Sequence, residues 1–304
     1  MTTGLPLVSV VIPTYNRAPM IGQALESVLS QSYRDFELIV VDDGSTDGTA
    51  VLLDRYQPAL TVLSQPHRGV AAARNAGISA SSGKYIAFLD SDDFWLPAKL
   101  AVQVEFLKCS TGVEICQTNE IWMRNGRRVN PKLKHRKPSG DVFRRSLDLC
   151  LISPSAVMMT RELFDSVGGF DESFVVCEDY DLWLRIALGH PVYLIEEALV
   201  TKRGGHADQL SRSVWGMDRF RALSLIKLLR TGLDGEKRQW ALAALREKVD
   251  ILAAGAKKRG KQENAAGWEN IWARCLKEFG DVGTKDPGIR RNQRLSSAHR
   301  AALA

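Results

Sequence analysis

Short apolar runs alternate with amphipathic stretches over the first ninety residues. Leu7 to Ile12 is apolar apart from Ser9 and predicts a strand stopped by Pro13. From about Pro19, Ile21, Ala24, Leu25, Val28 and Leu29 recur at the spacing of one helix face. Phe36 to Val41 is a second apolar run, followed by a helix that Asp47 caps and that reaches about Tyr56. Leu60 to Leu63 predicts a third strand. Arg68-Gly69 leads into an Ala-rich helix carrying Arg74 and Asn75, and Tyr85 to Leu89 predicts a fourth strand. Strand and helix alternating with short connections imply a parallel sheet with right-handed crossovers, hence an α/β fold.

Beyond a helix near 97–107 the pattern becomes mixed. Val113 to Met123 predicts a long strand, 124–145 a basic loop, Ser155 to Thr160 a strand, and Gly168-Gly169-Phe170-Asp171 a turn. Glu178 to Leu188 has a helical stripe of Tyr180, Leu184 and Leu188, and Val192 to Thr201 returns as an extended segment. Residues 215–280 look wholly helical, with breaks near Gly232, Gly235 and Gly260. Leu223, Ile226, Leu229 and Leu233 share one face among Arg219, Arg221, Lys227 and Arg230. That face suits core packing, a membrane surface or a homodimer through these helices. The expected organisation is a domain over 1–214, with halves at about 7–108 and 109–214, a helical extension over 215–282, and a disordered basic tail over 283–304.

Charge sharpens this picture locally. The net charge is +6, yet 124–145 holds six Arg and three Lys against the single acid Asp141. Such a patch suits anionic lipid headgroups, an anionic acceptor or nucleic acid. Five cysteines, an odd number with no C-x-x-C pair, argue for reduced thiols and against a disulfide framework or a zinc site. No apolar run reaches the roughly 18 residues of a membrane span, and no secretory signal is recognisable at the N-terminus. The expectation is a cytoplasmic protein, peripheral at most at the inner face of a membrane.

Chemistry concentrates where the fourth apolar run ends, in Asp90-Ser91-Asp92-Asp93. Carboxylates stacked at the end of a buried strand repel one another and resist desolvation. A shared hard divalent ion relieves both problems. Asp92 or Asp93 could instead cap the next helix, with Pro97 in its first turn, but one cap needs one acid. The other strand ends are also polar: Thr14-Tyr15-Asn16 and Asp42-Asp43. A parallel sheet puts all three ends on one edge, where ligands of open α/β sheets bind. An aromatic ring and an acid there suit a nucleobase, and a metal suits a diphosphate.

Val10-Val11-Ile12-Pro13-Thr14-Tyr15-Asn16, Val40-Val41-Asp42-Asp43-Gly44-Ser45-Thr46-Asp47 and Phe88-Leu89-Asp90-Ser91-Asp92-Asp93 closely resemble the family 2 glycosyltransferases of GT-A fold. So does Gly168-Gly169-Phe170-Asp171 followed by Glu178-Asp179-Tyr180-Asp181-Leu182-Trp183-Leu184. The resemblance covers about 7–215. It implies a Rossmann-like, mostly parallel mixed sheet flanked by helices, and inverting transfer of a sugar from a nucleoside diphosphate, UDP favoured, to an acceptor hydroxyl. It also implies roles. Pro13, Thr14 and Tyr15 would line the base pocket, and Asp42 would bond the base. Arg74 would approach the diphosphate. Asp90 would touch the donor's ribose or the metal, Ser91 would lie on the donor, and Asp92 would hold Mg2+ or Mn2+. Asp179 would be the general base, with Glu178 as the alternative, since adjacent helical residues point about 100° apart. His206 would fold over the diphosphate or reach the metal. The acceptor would be a cell-surface glycan or a lipid-linked sugar, and no nucleic-acid partner is implied.

Gln209, Arg212 and Trp215 resemble the Q-x-x-R-W motif of processive relatives, but Trp215 stands two places late, which favours transfer of a single sugar. A sugar nucleotidyltransferase would need a Gly-rich loop after the first strand, and a dehydrogenase a G-x-G-x-x-G; neither is present. A non-catalytic nucleotide-sugar or carbohydrate-binding subunit is the rival from another class.

Overall fold

The computed structural model describes residues 5–205, 209 and 214–280. The chain divides into two compact units, residues 1–209 and 210–304. His206, Arg212 and the predicted basic tail lie outside the described residues.

The first unit is built on a nine-stranded sheet. Its first half follows the predicted alternation: β1 (Val8–Thr14), α1 (Ala18–Leu29), β2 (Phe36–Asp42), α2 (Thr49–Asp54), β3 (Thr61–Ser64), α3 (Val70–Ser79) and β4 (Tyr85–Phe88). Strands β3, β2, β1 and β4 lie side by side in that order and are all parallel. All seven residues of β1 are buried, as is all of β4. Helices cover both faces of such a sheet, which is why these strands are nearly continuous apolar runs. Each buried Val or Ile contributes about 1.5–3 kcal/mol. Helix α3 lies so close to β1 that a Cβ on Gly77 would overlap the Val11 side chain. This close seat fixes Arg74, one turn earlier, beneath the end of β4.

Pro13 does not stop β1. The strand runs on to Thr14, paired with Asp42 of β2. Val11 accepts from Leu89 N, so odd residues of β1 face β4, and β4 pairing ends at Val11 and Phe88. The donor that proline lacks would point to a side where no partner strand remains.

The second half is mixed. It contains β5 (Phe94–Trp95), α4 (Lys99–Cys109), β6 (Ile115–Arg124), β7 (Arg127–Val129), α5 (Phe143–Asp148), β8 (Val157–Thr160), α6 (Arg161–Val167), α7 (Glu178–Ala187) and β9 (Tyr193–Gly204). The sheet continues from β4 through β8, β6, β9 and β5, with β7 paired to β6. Pairs β4–β8, β8–β6, β6–β7 and β9–β5 are antiparallel, and β6–β9 is parallel. The stretch predicted as a basic loop is therefore partly regular. It holds the β6–β7 hairpin, a 3-10 turn over Leu133–His135 and α5. Periodicity over three to six residues is too short to reveal such elements.

The second unit contains α8 (Met217–Leu229), α9 (Gly235–Lys258) and α10 (Gln262–Phe279), with breaks near the three predicted glycines. Leu223, Ile226, Leu229 and Leu233 are all buried, so the apolar face they share is already covered. No helix among the described residues is long and apolar enough to cross a membrane. All five cysteines are free thiols.

Candidate active site

The ends of β1, β2 and β4 meet on one edge, and each presents a different chemistry. At the β1 end Pro13 and Thr14 are buried, and Thr14 Oγ1 has no hydrogen-bond partner. Tyr15 is 40% exposed and stacks on His67, with ring centroids 4.0 Å apart and planes 23° from parallel. Asp42 is buried at the end of β2, where its Oδ1 accepts from Ser45 N at 3.0 Å. Asp43 is spent on structure. Its carboxylate accepts from Gln65 Nε2 (2.6 Å), Arg68 N (2.9 Å) and Gly69 N (2.8 Å), and His67 Nδ1 lies 2.8 Å away. It thereby folds the segment that carries His67 beside Tyr15. His67 was not singled out from the sequence, because its only signal is its place just before the Ala-rich helix.

At the β4 end, Asp90, Asp92 and Asp93 each offer an oxygen, and these lie within 4.8 Å of one another. Asp90 and Asp92 are half-buried, while Ser91 and Asp93 are buried. Asp93 does not cap α4. Its Oδ2 accepts from Ser155 Oγ at 2.7 Å and its Oδ1 from Arg203 N at 2.9 Å, tying β9 and the turn that leads into β8 to the strand end. The N-cap position of α4 is Ala98, with no side-chain cap. Burial pushes the Asp93 carboxyl well above the carboxylate range; Lys202 opposes this, and Asp92 and Asp90 add to it. Three convergent carboxylates are hard oxygen donors, the set that Mg2+ or Mn2+ prefers. Asp90 and Asp92 are the two of these acids that keep some exposure to solvent.

Arg74, expected at the diphosphate, is buried beneath this cluster. Its Nη2 donates to Asp90 Oδ1 at 2.7 Å and its Nη1 to Glu178 Oε1 at 2.5 Å, and its guanidinium lies 5.1 Å from the Phe170 ring centre. Burial alone would weaken its hold on the proton; Asp90 and Glu178 outweigh that and keep it charged. The bridge joins the end of β4 to the start of α7, two points far apart in the chain.

Cys177, left-handed at φ 64°, turns the chain into α7 at a cost of about 1–2 kcal/mol. Glu178 then points inward to Arg74, and burial pushes its carboxyl up to about 7, with Arg74 opposing and Asp179 adding. Asp179 is half-buried. Its Oδ1 accepts from Tyr180 N at 2.7 Å, and its Oδ2 from the Cys150 thiol at 3.4 Å.

Two further groups were not singled out. Cys150 is one. The other is Lys202 on β9, whose Nζ donates to Ser153 Oγ at 3.1 Å. Burial disfavours its charge, but Glu120, Asp93, Asp90 and Asp179 surround it and raise its proton affinity. Glu120 in turn is pulled down to about 2: burial would raise it, but Lys137 at 3.0 Å and Lys202 overcome that. A lysine in an extended segment carries no sequence signal for such a place. Of the Q-x-x-R-W-like residues, Gln209 accepts from Gly205 N at 3.2 Å, and Trp215 is 60% exposed in the second unit.

Comparisons with known proteins identify the family. The model of "Glycosyl transferase family 2" matches residues 9–168. The uncharacterized glycosyltransferase RP339 of Rickettsia prowazekii is 32% identical over 65% of this chain, and the match spans 64% of its own length. The UDP-Glc:alpha-D-GlcNAc-diphosphoundecaprenol beta-1,3-glucosyltransferase WfgD of Escherichia coli is 30% identical over 77% of this chain and 84% of its own. Among solved structures, residues 1–349 of S. aureus TarS in complex with UDP-GlcNAc superpose with a TM-score of 0.69 at 21% identity, covering 90% of this chain and 80% of that one. With the family model spanning more than half of the sequence, the chain belongs to glycosyl transferase family 2 and has the GT-A fold.

Proposed function

We propose that this glycosyltransferase moves a single sugar from a UDP-sugar to the hydroxyl of a cell-surface glycan or lipid-linked acceptor, with inversion and with help from Mg2+ or Mn2+. The observation that carries the reading is the Arg74 bridge. It locks Glu178, the neighbour of Asp179, to Asp90, the first acid of the cluster, which supports a candidate base and a candidate metal site held close together. WfgD is named for a UDP-glucose donor and a lipid-diphosphate acceptor, and the TarS complex holds UDP-GlcNAc.

Tyr15, backed by His67, offers a face for the base. Asp42 has one oxygen on Ser45 N, and the other suits a base N–H. Asp90 and Asp92 would hold the metal, which supplies positive charge to the departing diphosphate. Asp179 takes the proton of the acceptor hydroxyl as its oxygen bonds the anomeric carbon and the nucleoside diphosphate leaves. A positioned carboxylate contributes roughly 10²–10⁴-fold in such a step. The bonds from Tyr180 N and Cys150 orient that carboxylate. Glu178, held by Arg74, serves the architecture and leaves the base role to its neighbour.

Thermal shift with UDP, GDP and dTDP, each with and without Mn2+, tests the donor reading, because stabilisation grows with occupancy. UDP should raise the midpoint most, and more so with Mn2+. No shift with any nucleoside diphosphate in Mn2+ would refute it. NMR of the first product's anomeric centre tests inversion.

A further inference from the structure

The basic segment acquires a shape in the structure that its sequence did not disclose. Strand β6 ends at Arg124, turns through Asn125 and Gly126 and returns as β7. The chain then forms the 3-10 turn over Leu133–His135, closed by His135 N to Lys132 O (2.8 Å) and Arg136 N to Leu133 O (3.0 Å). The His135 ring leans on Trp122 of β6, centroids 5.3 Å apart, and Trp122 Nε1 is fixed on Glu120 Oε2 at 3.0 Å. The turn is thus anchored from below, and it holds Leu133 out at 89% exposure between Lys132 and Lys134. Arg124, Arg127, Arg128, Lys132, Lys134 and Arg136 are all exposed. No acid occurs between 124 and 136, and none of these six makes an ion pair among the described residues. A leucine fixed outward amid unpaired cations is ill suited to water. It is well suited to a surface that is anionic outside and apolar beneath.

The place of this surface also bears on function. Arg124 pairs with Gly204 of β9, one residue beyond Arg203, whose N–H anchors Asp93. A Cβ on Gly205 would meet Asn125 Oδ1 at 2.5 Å, so the hairpin tip sits directly on the backbone that leaves β9. The hairpin therefore rises from the same sheet edge as the acid cluster.

We propose that the β6–β7 hairpin and the Leu133 turn form a docking surface for an anionic phospholipid bilayer. Lys and Arg side chains interact with lipid phosphates while Leu133 enters the acyl boundary. The sheet edge that carries the acid cluster is then presented to acceptors held at the membrane. The buried face of α8 cannot serve this purpose, since its leucines are already covered. The inference concerns a surface outside the donor site and stands whether or not UDP is the donor.

Flotation of the full chain tests it, with phosphatidylglycerol–phosphatidylcholine vesicles against pure phosphatidylcholine. Each Lys or Arg near an anionic surface is worth about 1 kcal/mol, about fivefold in partition. The double substitution Arg127→Glu and Arg128→Glu should therefore lower partition by tenfold or more, and Leu133→Asp should lower it further. Binding should fall away in about 1 M salt, where the Debye length is about 3 Å. Melting midpoints, and any shift produced by UDP, should be unchanged in these variants, which separates a lost surface from a lost fold or donor site. The proposal would be overturned by no co-flotation of the wild type, by equal partition into both vesicle types, or by undiminished partition of the Arg127/Arg128 variant. Displacement by a single-stranded oligonucleotide together with indifference to Leu133→Asp would mark a general polyanion site and would equally overturn it.

Discussion

Replacing Arg74 by methionine keeps much of its volume and removes the cation between Asp90 and Glu178. The Arg74 side chain is 4% exposed, Glu178 is 6% exposed and Asp90 28%. At the effective dielectric of proteins, unit charges about 4 Å apart attract by about 4 kcal/mol. Desolvation offsets much of that in the intact pair, but removing one partner leaves the other buried and unpaired, at about 3–5 kcal/mol. Most of the loss falls on Glu178, because solvent screens Asp90. The sign with pH follows from Glu178. Its carboxyl is pushed up to about 7 in the folded protein against an ordinary value of 4.5. Its contribution to stability is thus fully present below 4.5 and lost as pH rises through about 7. Without Arg74 the folded carboxyl holds its proton still harder. The variant's deficit should therefore be largest near about pH 8 and shrink towards about pH 5, where the carboxyl is neutral in both proteins. Urea unfolding at the two pH values, followed by tryptophan emission, measures this. Adding Glu178→Gln to Arg74→Met should recover part of the loss, a coupling that a double-mutant cycle isolates. Equal deficits at both pH values with strictly additive single effects would show that the bridge does not operate as described.

Asp179→Asn should retain donor-induced stabilisation and lose roughly 10²–10⁴-fold in transfer rate; a fully active variant would remove Asp179 as the base. Asp92→Ala should abolish the increment that Mn2+ adds to the UDP thermal shift, and an unchanged increment would move the metal elsewhere. Lys202→Met should destabilise the fold and yet tighten Mn2+ binding in a titration of the nucleotide-free protein. The ammonium now attracts Asp90, and its loss leaves that carboxylate's charge for the ion. Weaker Mn2+ binding in that variant would contradict the place given to Lys202.

The sequence by itself determined the first half of the fold and the identity of the acid cluster. The runs at β1, β2 and β4 are long and apolar because they are buried on both faces, and that signal lies among neighbouring residues. The polar groups ending those strands needed only the inference of a parallel sheet to fall on one edge. Tertiary structure alone decided how the groups divide the work. Asp93 went to Ser155 and Arg203 rather than to a helix cap. Arg74 went to Glu178, 104 residues away, and Lys202 came to lie among four carboxylates. It also let Pro13 stay in a strand, because β4 pairing had ended beside it, and it made a hairpin of the basic segment. Local pattern fixes which face of an element is apolar. Which charges meet in the interior depends on how whole elements pack, and no window of adjacent residues contains that information.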